Sequence, residues 1–236
     1  MNWFADVDAA VAAVPLATLP LRPLLSLART LVAGYPILYA SGLICRVLSD
    51  DLNGNIATLA AALADMEREA AAERPPASPL SSSSRSSSSR PGLGYAPAEG
   101  PHFSDLTSFH PASSASPIYA ARWVTRVLKF IALLLAKLGA DPALSISLAG
   151  RQTYKAVIAP HHAPVMSFIV GTVLYWAPTR AWVLKNSLSG ASNADACAAC
   201  LRTAAALAPL AEACAAHLEA CGLNHHDVIS AVPGGF

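Results

Sequence analysis

The sequence has few charged residues and no motif of a known catalytic centre. Charged residues make up 13% of the 236 positions, the formal net charge is +1, and neither sign forms a long block. Without a basic surface there is little electrostatic attraction for nucleic acid, so we expect no nucleic-acid partner. There is no glycine-rich phosphate loop, no Gly-x-Ser-x-Gly elbow and no His-Glu-x-x-His pair. We therefore expect a protein that is not an enzyme and carries no cofactor.

The cysteines and histidines do not have the spacing of a disulfide framework or of a metal site. A single Cys-x-x-Cys pair, Cys197 and Cys200, has no second pair to complete a zinc site. The adjacent pair His225-His226 lacks the spacing of a tetrahedral site. We expect no metal and interpret the thiols as small apolar core residues. The five cysteines are Cys45, Cys197, Cys200, Cys214 and Cys221.

The N-terminal region lacks the pattern of a targeting segment. The first basic residue is Arg22, so the chain has neither the charged start of a secretory signal nor the arginine-rich face of a transit peptide. Prolines and arginines interrupt the apolar runs of residues 9–48, and residues 164–178 are too few to span a bilayer. The sequence predicts a cytosolic protein without a transmembrane helix.

Apolar residues are what the sequence has in abundance. They make up 54% of the chain, and the mean hydropathy is +0.43. Alanine and leucine occur nearly everywhere and strand-like runs are few, which favours an all-α protein. A chain of this length can build one large core, and we predict a single domain over residues 1–236. This apolar composition also indicates that the protein binds an apolar molecule in addition to burying its own core.

Residues 75–117 have a different composition. They contain Pro-Pro-Ala-Ser-Pro, two runs of four serines around Arg85, and Pro-Gly-Leu-Gly. Such a segment buries too little apolar surface to offset its conformational entropy, so we expect residues 75 to about 100 to be disordered. Residues 103–117 are expected to dock weakly. The whole segment is predicted to be a low-complexity insertion within the domain.

A central helix is predicted over residues 119–138. Arg122, Arg126 and Lys129 line the edge opposite its apolar face, and Trp123 lies on the border between the two. Cations beside an indole at the margin of an apolar surface suit a sugar or phosphate head held above an apolar pocket. The apolar face consists of Val124, Val127, Leu128, Ile131, Leu134, Leu135 and Leu138.

Two further regions carry polar side chains next to apolar ones. In a helix predicted over residues 43–74, Asp51, Asn55 and Thr58 form a polar stripe beside an apolar one. Farther along, prolines flank His161-His162, which places this pair at a break between a helix over residues 143–158 and a buried helix over residues 165–176. Polar groups from three separated segments are thus available for one site.

Three blocks of residues resemble the glycolipid transfer protein family. They are Asp51-Leu-Asn-Gly-Asn55-Ile, Trp123-Val-Thr-Arg126-Val-Leu-Lys-Phe-Ile, and the stretch from Tyr154 through Ala159-Pro-His-His162 to Tyr175-Trp-Ala-Pro-Thr-Arg180. The resemblance covers residues 24–223 apart from the insertion. It implies a two-layer helical sandwich with a hydrophobic tunnel for ceramide chains and a surface recognition centre for the headgroup.

The resemblance also implies roles for particular side chains. Asp51 and Asn55 would hydrogen-bond the sugar and the ceramide amide, Trp123 would stack on the first sugar ring, and His162 would donate to the amide carbonyl. Arg126 would orient Asp51 and touch the ligand. Further candidates for ligand contact are Thr58, Arg122 and Tyr119. Tyr154 is interpreted as a packing residue.

The headgroup is open between a sugar and a phosphate. A second branch of the family binds ceramide-1-phosphate with a lysine four residues after the aspartate and an arginine in place of the tryptophan. The corresponding residues here, Asn55 and Trp123, favour glycosylceramide. However, Arg122 and Arg126 lie one turn apart and could grip a phosphate.

Two departures from the pattern keep a third interpretation open. Thr58 replaces a lysine of glycolipid binders, and Pro164 replaces their membrane-docking tryptophan. A helical scaffold that kept the fold but lost transport is therefore the alternative from another class. The interpretation we favour is a monomeric carrier that transfers a sphingolipid between membranes, or reports its level, through transient peripheral contact, with Trp176 and Trp182 as docking candidates.

Overall fold

A computed structural model of the protein describes residues 3–34, 42–72, 100–109, 116–186 and 191–223, with side chains described at all of these except 42–48 and 186. Within these ranges the only extended pairing is an isolated bridge between Pro20 and His102. The prediction of an all-α protein is confirmed. In chain order the elements are α1 (Trp3–Ala12), α2 (Leu21–Ala33), α3 (Gly42–Ala72), a 3₁₀ helix (Phe103–Ser108), α4 (Pro117–Ala140), α5 (Ile146–Val157), a second 3₁₀ helix (Ala159–His161), α6 (Pro164–Tyr175), α7 (Arg180–Asn186) and α8 (Asn193–Ala220).

Helix α4 is the centre of the molecule. It packs against α8 along most of its length and also contacts α3 and α5. The helix begins two residues before the predicted start because the Ser116 side chain accepts the backbone N–H of Ile118 and Pro117 occupies the first turn. Neighbours on several sides bury far more of α4 than a single apolar face.

Two of the three residues of the predicted cationic edge of α4 are buried. Arg122 and Arg126 retain 3% and 9% of their accessible surface, and only Lys129 of the three is exposed. Arg122 can be buried because its Nε–H donates to the backbone carbonyl of Leu223, just beyond the C-terminal end of α8. The helical period identified which residues share an edge, but tertiary packing decided that Arg122 and Arg126 lie inside the protein and Lys129 outside.

Helix α8 supplies the other half of the main core. The side chain of Ser192 caps its first turn by accepting the backbone N–H of Asp195, and Pro209 lies within the helix. Among the described helices, α8 is long and apolar enough to cross a membrane by length and composition. Its inward face packs on α4 and α1, so its apolar character is that of a core helix.

The N-terminal helices are fixed by specific contacts. The Trp3 indole donates to the carbonyl of Thr30 at 3.0 Å and packs on Gly34, where a Cβ would overlap the ring. Asp8 ties α1 to α8, since its two carboxylate oxygens accept from Thr203 at 2.6 Å and Arg202 at 2.9 Å. These contacts hold α1 across one end of the core.

The end of the predicted insertion belongs to the core. Phe103 and Leu106, on the first 3₁₀ helix, are each 1% exposed. The backbone N–H of Phe103 donates to the carbonyl of Leu19 at 2.9 Å. This part of residues 103–117 therefore packs firmly, contrary to the expected weak docking, because two large apolar side chains enter the core. Residues 75–99, which hold most of the segment predicted to be disordered, lie outside the described residues.

Helix α6 was predicted to be buried, and that prediction is wrong. Only Val170 and Leu174 are buried, whereas Val165 and Phe168 are 67% and 75% exposed. The helix packs mainly against α5, and no described element covers its outer face. Composition alone could not reveal this because an apolar helix looks the same whether or not another helix covers it.

Candidate functional site

Four side chains from α4, α5 and the break before α6 meet in one cluster. The Trp123 and His162 ring centroids are 5.0 Å apart, with their planes tilted by 31°. The guanidinium carbon of Arg126 lies 5.2 Å from the centroid of the Trp123 ring. The hydroxyl of Tyr154 lies 2.7 Å from Nδ1 of His162. We call these four residues the His162 cluster.

Local sequence explains why His162 reaches this position. The chain leaves α5 at Val157, and Pro160 in the next 3₁₀ helix prevents α5 from continuing. His162 follows in extended conformation (φ −102°, ψ 142°), and Pro164 then starts α6. The predicted break at the histidine pair is confirmed, and it brings the His162 ring back over α4.

His162 is kept neutral by its surroundings. Burial lowers the pKa of its imidazole below the ordinary value, and the positive charge of Arg126 lowers it further. A neutral imidazole has one N–H donor and one acceptor nitrogen. Since Nδ1 faces Tyr154, Nε2 is the ring nitrogen that Tyr154 does not engage. Sequence reasoning missed the hydrogen bond of Tyr154, because a tyrosine eight residues before a histidine carries no signal until the proline break is folded.

Helix α3, which carries the polar stripe, packs on the same central helix. Asn55 is buried, and its Nδ2 donates to the Asp51 backbone carbonyl at 2.9 Å, which leaves its Oδ1 as an acceptor. Asp51 is exposed at the surface, but nearby protein atoms reduce its hydration and raise the pKa of its carboxyl. Direct contact of these two side chains with the His162 cluster stays a prediction.

Three weaker candidates differ in how the structure places them. The Thr58 hydroxyl donates to the Gly54 carbonyl of its own helix at 3.0 Å. Tyr119 borders the His162 cluster, with its ring 6.2 Å from that of Trp123. Arg122 extends toward Leu223 instead, so its guanidinium serves the packing of α8 on α4.

Apolar space lies at the opposite end of α4 from the cluster. A cavity of about 50 Å³ is lined by Leu135 and Leu138 of α4 and by Trp3, Phe4 and Val183. Leu138 follows Trp123 by fifteen residues, which corresponds to about 22 Å along a helix. The cavity and the cluster are therefore separated by the packed centre of the core.

Three of the four described cysteines, Cys197, Cys200 and Cys214, are buried as predicted for core thiols, whereas Cys221 is only partly buried. Burial raises the pKa of Cys200 to about 11 and that of Cys214 to about 12, so both are protonated at neutral pH. Within the described ranges no group of three or more His, Cys, Asp or Glu could hold a metal ion. The pair His225-His226 and Cys45 lie outside the described side chains.

Comparison with known proteins identifies the architecture. Residues 104–188 match the sequence profile of the Glycolipid transfer protein (GLTP) family. The whole fold superposes on human ceramide-1-phosphate transfer protein in complex with 12:0 ceramide-1-phosphate, with a TM-score of 0.69, 14% identity and coverage of 94% of this chain and 97% of that one. The chain has the glycolipid transfer protein fold. The predicted two-layer helical sandwich is thereby confirmed.

Two further structures with the glycolipid transfer protein fold are similar to this chain. A point mutant of Arabidopsis ACD11, complexed with C12 ceramide-1-phosphate, gives a TM-score of 0.63 at 15% identity, covering 95% of this chain and 98% of that one. HET-C2, a fungal glycolipid transfer protein, gives 0.64 at 15% identity, covering 89% and 92%. No curated protein matches the chain in sequence. Sequence identity this low shows the fold but does not identify the ligand, which has to be inferred from the side chains at the site.

The sequence match to the family falls on part of the site. Residues 104–188 include Trp123, Arg126, Tyr154 and His162, whereas Asp51 lies outside them. The first block, Asp51 to Ile56, lies outside the profile match. Its resemblance to the family is therefore supported only by the overall fold, in which α3 carries this block. The second and third blocks are supported by sequence and geometry together.

Proposed function

We propose that the protein binds a sphingolipid and transfers it between membranes without chemical change, and that glycosylceramide is its preferred ligand. The carrying observation is the position of the His162 ring, which is 5.0 Å from the Trp123 ring and hydrogen-bonded at Nδ1 to Tyr154, in buried surroundings that lower the pKa of the imidazole. A ceramide amide needs a donor for its carbonyl and an acceptor for its N–H. Nε2 of His162 supplies the first, and the carboxylate of Asp51 supplies the second.

The charges around the site favour a sugar over a phosphate. A phosphate is best held by two or more cations, with arginine forks as the usual choice. Here Arg122 is engaged at Leu223, and Asn55 is neutral. Asp51, Asn55 and Arg126 together offer the mixture of donors and acceptors that sugar hydroxyls require.

Ceramide-1-phosphate is the second candidate, and one observation favours it. Arg126 brings a guanidinium to within 5.2 Å of the Trp123 ring centroid in a buried position. A positive charge in such low-dielectric surroundings attracts an anion more strongly than it would in water. Two similar structures, human ceramide-1-phosphate transfer protein and Arabidopsis ACD11, were solved with this lipid bound.

The lipid chains would enter the core along α4. Each buried CH₂ group contributes about 0.8 kcal/mol, so the chains would supply most of the affinity. The distance of about 22 Å from Trp123 to Leu138 exceeds the ~15 Å of hydrocarbon in one bilayer leaflet, so a long chain fits along it. The present cavity of about 50 Å³ is comparable to one or two water molecules, at roughly 30 Å³ each. A lipid chain that reaches this cavity would therefore have to move the side chains around it apart.

The exposed face of α6 is the proposed membrane contact. Val165 and Phe168 on this helix and Tyr175 and Trp176 at its end are 61% to 75% exposed. They follow His162 closely in the chain, so docking through them would bring the site to the bilayer surface. Apolar and aromatic side chains of this kind support peripheral, reversible binding. Trp182 is 39% exposed and is a weaker candidate.

A vesicle transfer assay tests the function. Fluorescent galactosylceramide, glucosylceramide, ceramide-1-phosphate and phosphatidylcholine are offered in separate donor vesicles. We expect the protein to move the glycosylceramides, and Trp123→Ala to slow this transfer roughly 10-fold or more. Lys129→Ala is the matched control, because Lys129 lies on the same helix but is exposed.

Each other outcome has a definite meaning. If the protein transfers only ceramide-1-phosphate and Arg126→Ala abolishes that transfer, the preferred headgroup is a phosphate and not a sugar. Transfer of no sphingolipid by the wild type would reject the carrier function and favour the helical scaffold. Native mass spectrometry adds an independent check, since a carrier should retain one sphingolipid per monomer.

A further inference from the structure

Tyr154 at the end of α5 is joined to His162 across the proline break. Its side chain is 6% exposed, and its hydroxyl lies 2.7 Å from Nδ1 of His162. The two ring centroids are 5.7 Å apart. Tyr154 packs in a small apolar group with Trp123, Val170 and Leu174, separate from the main core. A buried phenol at the edge of a ligand site has to direct its single proton to one partner.

The direction of this hydrogen bond follows from the chemistry of the two groups that form it. Burial raises the pKa of the Tyr154 hydroxyl, and a hydrogen bond with the side chain of Ser167 opposes part of that rise. The phenol is therefore un-ionised at neutral pH. A phenol O–H is a stronger donor than the N–H of a neutral imidazole, and an unprotonated imidazole nitrogen is a stronger acceptor than a phenol oxygen, so across the 2.7 Å contact Tyr154 donates to Nδ1. If Tyr154 donates to Nδ1, the proton of the neutral imidazole must be on Nε2.

We propose that Tyr154 is a positioning residue that holds His162 in the tautomer protonated on Nε2, so that Nε2–H points to the ligand. The role in ligand binding rests on the proposed function, because Nε2–H is the donor assigned to the ceramide carbonyl. The other tautomer would present a lone pair to that carbonyl and lose the hydrogen bond. Tyr154 thus acts through His162 and need not touch the lipid.

The tautomer can be measured without any lipid. Nitrogen-15 NMR of the histidine side chains in the full chain distinguishes protonated from unprotonated ring nitrogens. We expect Nε2–H for His162 in the wild type and a mixture of both tautomers in Tyr154→Phe. A wild-type ring protonated on Nδ1, or an unchanged tautomer in the phenylalanine variant, would overturn the proposal.

Lipid transfer gives the second readout. Loss of one neutral hydrogen bond predicts that Tyr154→Phe slows galactosylceramide transfer roughly 2- to 10-fold. The control is Thr153→Val at the adjacent position of α5. It removes a buried hydroxyl group that has no hydrogen-bond partner in the structure. Thermal unfolding of both variants confirms that they are folded. Combined with His162→Gln, Tyr154→Phe should add no further loss, and an equal loss in both backgrounds would contradict action through His162.

The two measurements separate this inference from the proposed function. If the His162 tautomer changes in Tyr154→Phe but the wild type transfers no sphingolipid, Tyr154 positions the ring and the proposed transfer function is rejected. Normal lipid transfer with a tautomer that does not depend on Tyr154 keeps the function and rejects the positioning role.

Discussion

Arg122 on the central helix donates its Nε–H to the backbone carbonyl of Leu223, beyond the last turn of α8. The contact joins two helices that form most of the core, and it places a positive charge where the helix dipole of α8 is negative. A residue that sequence reasoning assigned to the ligand is thus committed to the fold. The two roles predict different phenotypes.

Arg122→Ala should destabilise the protein without affecting headgroup choice. Removal of a hydrogen bond from a charged donor costs about 2 kcal/mol, and the Leu223 carbonyl loses a partner. Urea unfolding measures this loss, and transfer per folded molecule should match the wild type. Lipid selectivity that changes in Arg122→Ala as it does in Arg126→Ala would contradict a purely structural role.

Asp51→Asn should be at least as stable as the wild type and yet fail to bind lipid. Reduced hydration raises the folded-state pKa of Asp51 above its unfolded value. The folded protein therefore binds more protons than the unfolded chain between those two pKa values, so this group's contribution to stability falls as pH rises through that window. At pH 7 the ionised carboxyl opposes folding, and asparagine removes that cost.

Denaturant unfolding at several pH values checks this prediction. The stability difference between Asp51→Asn and the wild type should grow as the pH rises from below about 4 to 7. A variant that is less stable at pH 7 would show that the carboxylate has a favourable partner in the fold. Lipid binding that survives the substitution would remove Asp51 from the site.

Phe168→Ser should weaken membrane association and leave the fold intact. Phe168 is 75% exposed, so its loss removes little packing from the core. If it enters the bilayer interface, its removal should reduce vesicle association roughly 3- to 30-fold. Leu16→Ser is the control, since Leu16 is 48% exposed on the connection between α1 and α2. Equal effects of both substitutions in vesicle co-sedimentation would reject α6 as the docking surface.

Trp3→Phe should extend the preference for long lipid chains. The indole lines the cavity beyond Leu138 and is fixed by its hydrogen bond to Thr30. Phenylalanine is smaller and cannot donate, so we expect a loss of about 1–2 kcal/mol in unfolding free energy and more room at the end of α4. Transfer assays with ceramide chains of increasing length test this, and an unchanged length profile would place the chain end elsewhere.

The extent of the site could be inferred only in part from the sequence. Trp123, Arg126 and His162 were named from motif resemblance, and their side chains lie together. Tyr154 was interpreted as a packing residue, although its hydroxyl bonds to His162. Packing and hydrogen bonding by the same side chain cannot be separated in a linear pattern, because the partner becomes visible only when the chain turns at Pro160.

The helical class, four of the helices, the break at the histidine pair and the chemical types available for a site follow from local sequence. These features depend on local chemistry: alanine and leucine favour helix, proline ends α5 and starts α6, and serines cap α4 and α8. Tertiary structure alone decided that Arg122 is buried against the end of α8 and that the apolar face of α6 stays uncovered. Helical periodicity states which side chains share a face, but what lies against that face is decided by how distant helices pack.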